Sequence, residues 1–407
     1  MTDLERILPL WRELEAAAAD FVLATIIEVQ GSSYRKPGAC MLLAPDGRRA
    51  GTVSGGCLEA QVASRAWWLT ANSSTIQRYS TAEEDGDLPY GSGCGGVIFL
   101  LLERRQTAGP LLAALEQAFD RRIPFVAATI LEGPHLGRRA FAGLEQNPTQ
   151  NLQLIVEPVR AGDDPLHTTG VSLQDLQDLA KMSLAGKESI EEKISIEGTS
   201  VRAWANYRPA RPGLWISGAG DDAQPLLHLA KALGWFVAVA DGRSHLATHE
   251  RFPLADKLGV LDIHKLPGNP SAGHPANQPS AFANIHPHDA AVVMTHSFEQ
   301  DARILASLLA LDTPLAYIGV LGPQRRTREL LAEVARMCNP PISPTSATAA
   351  WIEHRLTQLH APMGLDLGAE SPEAIAFSIL AEIQQSLAAA TALPLREVRN
   401  TAQTIFG

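Results

Sequence analysis

The stretch Leu214–Arg243, LWISGAGDDAQPLLHLAKALGWFVAVADGR, decides the fold. Leu214–Ser217 is a short apolar strand. It runs into Gly218-Ala219-Gly220-Asp221-Asp222-Ala223. A helix is expected over Gln224–Leu233, stopped by Gly234. A second strand, Phe236–Ala240, ends in Asp241-Gly242-Arg243. The order is strand, glycine turn, helix, strand. The turn fits G-x-G-x-x-A: the first glycine permits a tight turn, the second lets a pyrophosphate approach, and the small Ala223 lets helix and strand pack closely.

Further strands are expected at Ala290–Met294 and Leu315–Val320, with a helix over Glu299–Leu311. Strands alternating with helices predict a Rossmann-type, doubly wound parallel sheet from about 213 to 395. The helix start offers free N–H groups and a positive dipole end to phosphates, and Asp241 stands where a ribose-binding acid is expected. Arg243 suits a 2′-phosphate, so NAD and NADP both stay open. Asp221 and Asp222 weigh the other way, because two carboxylates in the first turn already satisfy the dipole. A structural turn without nucleotide is the competing reading. His296 ends its strand on the ligand-binding edge of such a sheet. Arg325, Arg326 and Arg328 open a helix, where cations oppose the dipole, so they suit an anion or a solvated turn. His286 and His288 read as loop residues, with a metal pair the lesser reading.

Toward the N-terminus, Gly31–Gly96 holds 11 of the 32 glycines in 66 residues. That concentration implies tight turns or backbone that must come close to something. Phe21–Val29 (FVLATIIEV), Met41–Leu43 and Val97–Leu102 read as strands, and Leu58–Leu69 as a helix. Ile7, Leu10, Trp11 and Leu14 mark an amphipathic helix, which Pro9 fits only in a first turn. Gly55-Gly56-Cys57 opens a helix, where a thiolate is favoured, and Cys94-Gly95-Gly96 precedes a strand. Sulfur transfer, metal ligation and a redox pair all suit two such cysteines, although no ligand set for zinc accompanies them. Glu59 complements its helix start. Arg35 and Lys36, in a Gly/Ser loop, suit an anion such as phosphate. Trp67 and Trp68 suit core or a dimer contact.

Residues 105–205 carry no chemical motif: a helix is expected over Leu111–Phe119, strands at Phe125–Leu131 and Leu152–Val156, and helix-compatible composition over Gly170–Ile194. Tyr207–Gly213 (YRPARPG) reads as the boundary between two domains, Ser271–Asn284 as an exposed loop, and no internal repeat stands out. The whole chain has 407 residues, 45% hydrophobic and 19% charged, so it is globular and not disordered. A net charge of −10 argues against nucleic-acid or anionic-membrane partners. Four cysteines are too few for a disulfide framework. No targeting segment or membrane span is evident, so a cytoplasmic protein is expected.

Several motifs together resemble one family. GSSYRKPGACM (31–41), GTVSGGCLE (51–59) and GCGG (93–96) look like the N-terminal domain of the XdhC/CoxI family. Residues 214–243, Thr295-His296, YIGVLG (317–322) with Arg325 and Arg326, and APMGLDLGA (361–369) look like its Rossmann domain. Tyr34 stands where the family usually has proline, and Asp221 where it usually has histidine. The resemblance implies an accessory protein that binds molybdenum cofactor (molybdopterin). It would protect the cofactor while a cysteine desulfurase sulfurates it, then pass it to a xanthine dehydrogenase-type molybdenum hydroxylase, with a homodimer expected. On this reading Arg35 meets the phosphate, and Cys57 and Cys94 lie near the metal. Such a protein delivers rather than turns over. The alternative is an NAD(P)-dependent oxidoreductase, though no Tyr-x-x-x-Lys constellation follows the glycine turn. A redox sensor using the two cysteines is a third reading.

Overall fold

Leu4, Ile7, Leu8, Trp11 and Leu14 form one buried stripe on helix α1 (Thr2–Ala16). Pro9 lies well inside this helix, not in its first turn, and faces solvent. Burial of the stripe outweighs the hydrogen bond that proline forgoes. The computed structural model describes residues 2–56, 58–80, 96–147, 150–155, 173–262, 284–311, 315–337 and 356–398. The chain divides into two compact units, Met1–Arg211 and Pro212–Gly407.

The first unit opens with an antiparallel sheet. Its strands are β1 (Val22–Gln30), β2 (Cys40–Leu43), β3 (Arg49–Gly51), β4 (Thr75–Ser80) and β5 (Val97–Arg104), in the order β3-β2-β1-β5-β4. Helix α2 (Glu59–Leu69) separates β3 from β4. Phe21, Leu23 and Leu42 face α1, while Val22, Ala24, Ile26 and Met41 face α2 residues Val62 and Ala66. Burial on both faces explains the unbroken apolar run in β1.

A second antiparallel sheet follows helix α3 (Arg105–Arg121). It holds β6 (Phe125–Ile130), β7 (Arg139–Asn147), β8 (Gln150–Ile155), β9 (Ile190–Ile196) and β10 (Thr199–Arg208), in the order β8-β7-β6-β10-β9. Helix α4 (Gln174–Gly186) covers one face with Leu176, Leu179 and Ala180. The segment without motifs is therefore a complete sheet. Tyr207 and Arg208 finish β10, and the division between units falls after Arg211.

The second unit is a parallel sheet of β11 (Gly213–Ser217), β12 (Phe236–Asp241), β13 (Lys257–Val260), β14 (Ala290–Val293), β15 (Tyr317–Val320) and β16 (Leu359–His360). Its order, β13-β12-β11-β14-β15-β16, is the doubly wound 3-2-1-4-5-6 pattern. Helices α5 (Ala223–Ala232) and α8 (Pro372–Leu387) pack on one face; α6 (Phe298–Leu309) and α7 (Gln324–Met337) pack on the other. Ser371 caps α8 by accepting from Ala374 N–H at 3.2 Å, with Pro372 next. Residues 263–283, most of the expected loop, lie outside the described residues.

Candidate functional site

In the first unit Gly55 and Gly96 both approach the 31–34 loop. Gly55 leaves no room for a Cβ, which would come within 2.9 Å of the Tyr34 ring. Gly96 approaches closer still, its Cβ position lying 2.0 Å from Ser32 O. Cys57, Cys94 and Gly95 lie outside the described residues. Of their described flanks, Gly55 borders Tyr34 and Gly96 borders Ser32, both in the 31–34 loop.

The Thr52–Gly56 turn closes on a side chain of its own. It wraps Glu59, which is 3% exposed. Glu59 Oε1 accepts from the backbone N–H groups of Val53 (3.1 Å), Ser54 (2.9 Å) and Gly55 (3.2 Å), and from Thr52 Oγ1. Oε2 accepts from Gly56 N–H (2.9 Å) and Ser54 Oγ (2.6 Å). Gly55 at φ +86° and Gly56 at φ +124° let successive N–H groups converge. Expected as ligand-binding glycines, Gly55 and Gly56 spend their N–H groups on the protein's own carboxylate. Glu59 is therefore the loop's central residue and more than a helix-start acid. The hydroxyls of Thr52 and Ser54 just before a glycine pair are its only signal in the sequence.

Burial pushes the Glu59 carboxyl up, but the bonds led by Ser54 and Thr52 outweigh it and hold it at about 2, from an ordinary 4.5. A depressed folded-state pKa stabilises above the unfolded value and loses that contribution as pH falls. Stability is therefore expected to drop steeply between about pH 4.5 and 2. Glu59→Gln should be less stable at neutral pH, because its amide cannot accept from the donors on one side. Its denaturation midpoint should also change less across that acid window.

Arg35 is engaged as well. Its guanidinium is paired with Asp3 of α1, and both are largely buried. Lys36 is exposed and has no carboxylate partner among the described residues. Trp67 lies under the Arg104 guanidinium at 4.4 Å, while Trp68 is exposed.

In the second unit the expected residues meet at the carboxyl ends of β11, β12 and β14. Gly218, at φ +128°, passes so close to β14 that a Cβ would sit 2.4 Å from Met294 O. Ala219 and Ala223 are fully buried. Asp241 is engaged within the protein. It is buried, its Oδ2 accepts from Ala219 N–H at 2.8 Å, and Arg243 grips both oxygens at 2.9 Å. Burial pushes this carboxyl up, yet Arg243 and the backbone N–H groups hold it below the usual range. Arg243, expected to favour a 2′-phosphate, is thereby spent, and it also donates to Thr295 O at 3.1 Å. Asp221 pairs with Arg251 at 2.8 Å. Beside Gly220, Asp222 Oδ2 lies 2.9 Å from His296 Nε2, and His296 sits in the left-handed region at φ +61°.

Asp301 and Glu329 are further partners that the sequence reading missed. Buried Asp301 accepts from Thr295 Oγ1 at 2.6 Å and from Arg326 at 2.6 Å, and burial pushes its carboxyl up. Arg326 is thus answered from within the chain, while Arg325 pairs with Glu329 on the surface. Among the described residues no group of three or more His, Cys, Asp or Glu could hold a metal ion, and no helix is long and apolar enough to cross a membrane.

A glycine turn at the switch point of a 3-2-1-4-5-6 sheet defines the second unit as a Rossmann-type domain. The XdhC Rossmann domain matches residues 214–383, and the XdhC and CoxI family matches residues 14–80. The chain belongs to the XdhC and CoxI family. It is 32% identical over 368 residues, 90% of this chain and 92% of the relative, to a Bacillus subtilis protein named as a probable xanthine dehydrogenase subunit. It is 24% identical over 371 residues, 89% of this chain and 82% of the relative, to the Escherichia coli molybdenum cofactor insertion chaperone PaoD. A crystal structure titled as a xanthine dehydrogenase from Bacillus halodurans matches with TM-score 0.62 and 26% identity, covering 98% of this chain and all of that one.

Proposed function

We propose that this chain binds molybdenum cofactor at the glycine-rich end of its first unit and delivers it to a xanthine dehydrogenase-type hydroxylase. The observation that carries the reading is the placement of Gly55 against Tyr34 and Gly96 against Ser32. One loop borders the chain two residues before Cys57 and two residues after Cys94. Soft cysteine sulfur suits molybdenum and its sulfido ligand, and exposed Lys36, in place of Arg35, suits the terminal phosphate of the cofactor. A cysteine desulfurase is the partner that would supply sulfur. The names of the relatives from B. subtilis and E. coli support this reading. In it the second unit's glycine turn is structural, because Asp241 and Arg243 are spent on each other. That same pair disfavours the NAD(P) alternative.

The test is pterin content. The protein is made in cells that synthesise the cofactor, purified without oxygen, and assayed for oxidised pterin per chain. Near-stoichiometric pterin is expected, lower in Lys36→Ala and lowest in the Cys57→Ala, Cys94→Ala double variant. No pterin, even after adding free cofactor, would overturn the reading and redirect attention to NAD(P) at Gly218–Ala223.

A further inference from the structure

Residues 21–28 read FVLATIIE and residues 125–132 read FVAATILE, identical at six of eight positions. The two segments hold the same place in two sheets of one design. α1-β1-β2-β3-α2-β4-β5 is followed by α3-β6-β7-β8-α4-β9-β10, and each sheet is ordered third, second, first, fifth, fourth. The register agrees as well. Thr25 lies opposite Cys40 and Leu101, and Thr129 lies opposite Arg139 and Trp204. Gly38 N–H donates to Ile26 O at 2.8 Å, and Gly137 N–H to Ile130 O at 2.9 Å. Both glycines are left-handed, at φ +94° and +88°. The absence of an evident repeat, expected from the sequence, is thus corrected.

Contacts between the halves are reciprocal. A Cβ on Gly38 would meet Asn206 Oδ1 at 3.0 Å; one on Gly137 would meet Glu103 Oε1 at 3.0 Å. Asn206 and Glu103 are equivalent, since they lie opposite Ala127 and Leu23. Ile27 and Leu101 pack in one cluster with their counterparts Leu131 and Trp204. Residue i of one half touching j of the other, and the reverse, is the signature of a two-fold arrangement.

We infer that Met1–Arg211 is an intrachain dimer: two copies of one αβββαββ module about a pseudo-two-fold axis, of which only the first kept a ligand-binding end. In the second copy β9 and β10 are joined by the short turn Glu197–Gly198, where the first copy has the long glycine-rich connection of residues 81–96. Residues 105–208 contain no cysteine. The second copy therefore serves as the partner that covers the first. The ligand half of this inference rests on the function proposed above.

Asn206→Glu tests the symmetry. Arg208 Nη2 donates to Gly38 O at 2.6 Å, as Arg139 Nη1 donates to Gly137 O at 3.0 Å. A carboxylate at 206 should therefore meet a guanidinium, as Glu103 does. N206E is expected to melt within about 2 °C of the parent, whereas Ala205→Glu on the same strand should lose roughly 10 °C or more. Adding Arg208→Ala should cost more in the N206E background than in the parent. If N206E falls as far as A205E, the pseudo-two-fold is wrong. For the ligand half, one pterin per chain is expected, and two would show that the second copy still binds. None would overturn the ligand half together with the proposed function, leaving the melting result to decide the symmetry.

Discussion

Glu103→Ala should cost the first unit about 3–5 kcal/mol, the usual loss when one partner of a buried ion pair is removed. Glu103 on β5 is fully buried and Arg139 on β7 nearly so. Two bonds join them, one of 2.8 Å from Arg139 Nη1 to Glu103 Oε1. Arg139 also donates to Gly137 O at 3.0 Å and Thr107 O at 3.2 Å. Those carbonyls would remain after the substitution, but no charge would balance the guanidinium. The double variant Glu103→Leu, Arg139→Met should regain most of the loss, because apolar replacements often match a buried pair. Denaturant unfolding of the single and double variants measures both. A loss below about 1 kcal/mol in Glu103→Ala would mean that water reaches Arg139.

Gly218→Ala should destabilise the second unit by about 3 kcal/mol or more. A left-handed backbone at a non-glycine residue costs about 1–3 kcal/mol. Here the added Cβ would also lie 2.4 Å from Met294 O and 2.9 Å from Thr295 N. Those are backbone atoms of the neighbouring segment, so β11 and β14 must part. The Ser217–Met294 bond of 2.8 Å stands beside that contact and would lengthen. Near-ultraviolet circular dichroism of buried Trp215 should report an earlier transition of this unit. The effect should appear without any ligand, because the glycine is required by the neighbouring strand. If the loss appeared only with a nucleotide present, the turn would belong to a binding site instead.

The second unit was legible because its strands and helices alternate with clean periods. Leu214–Ser217, Phe236–Ala240 and Ala290–Met294 all became strands within a residue or two. In the first unit, β3, β4 and β9 are edge strands with mixed polar faces (RAG, TIQRYS, IEEKISI), so they lack the apolar runs that reveal β1 and β5. β7 hides because Ala140, Ala142 and Gly143 are too small to mark it. The eight-residue likeness between 21–28 and 125–132 was visible in principle, but it becomes meaningful only once both strands are seen at the centre of matching sheets. At the candidate sites, residue types were legible and their engagements were not. Nothing local pairs Arg35 with Asp3 or Asp301 with Arg326, since those partners are far apart in sequence. The acid–glycine order of Asp241 and Arg243 did not reveal that each would neutralise the other.

The paired sheets of the first unit also set a timetable for synthesis. The strands of the first sheet are all made by Arg104, but the second cannot close until β10 returns to β6, with Ala203 against Ile130. At roughly 5–20 residues per second, the ribosome takes roughly 5–20 s to carry the chain from Arg104 to Arg208. Throughout that interval Ile27 and Leu101 have no Leu131–Trp204 surface to rest on. The nascent chain thus carries a sticky half-dimer whose proper mate is still being translated, and a neighbouring nascent copy on the same message presents the same face.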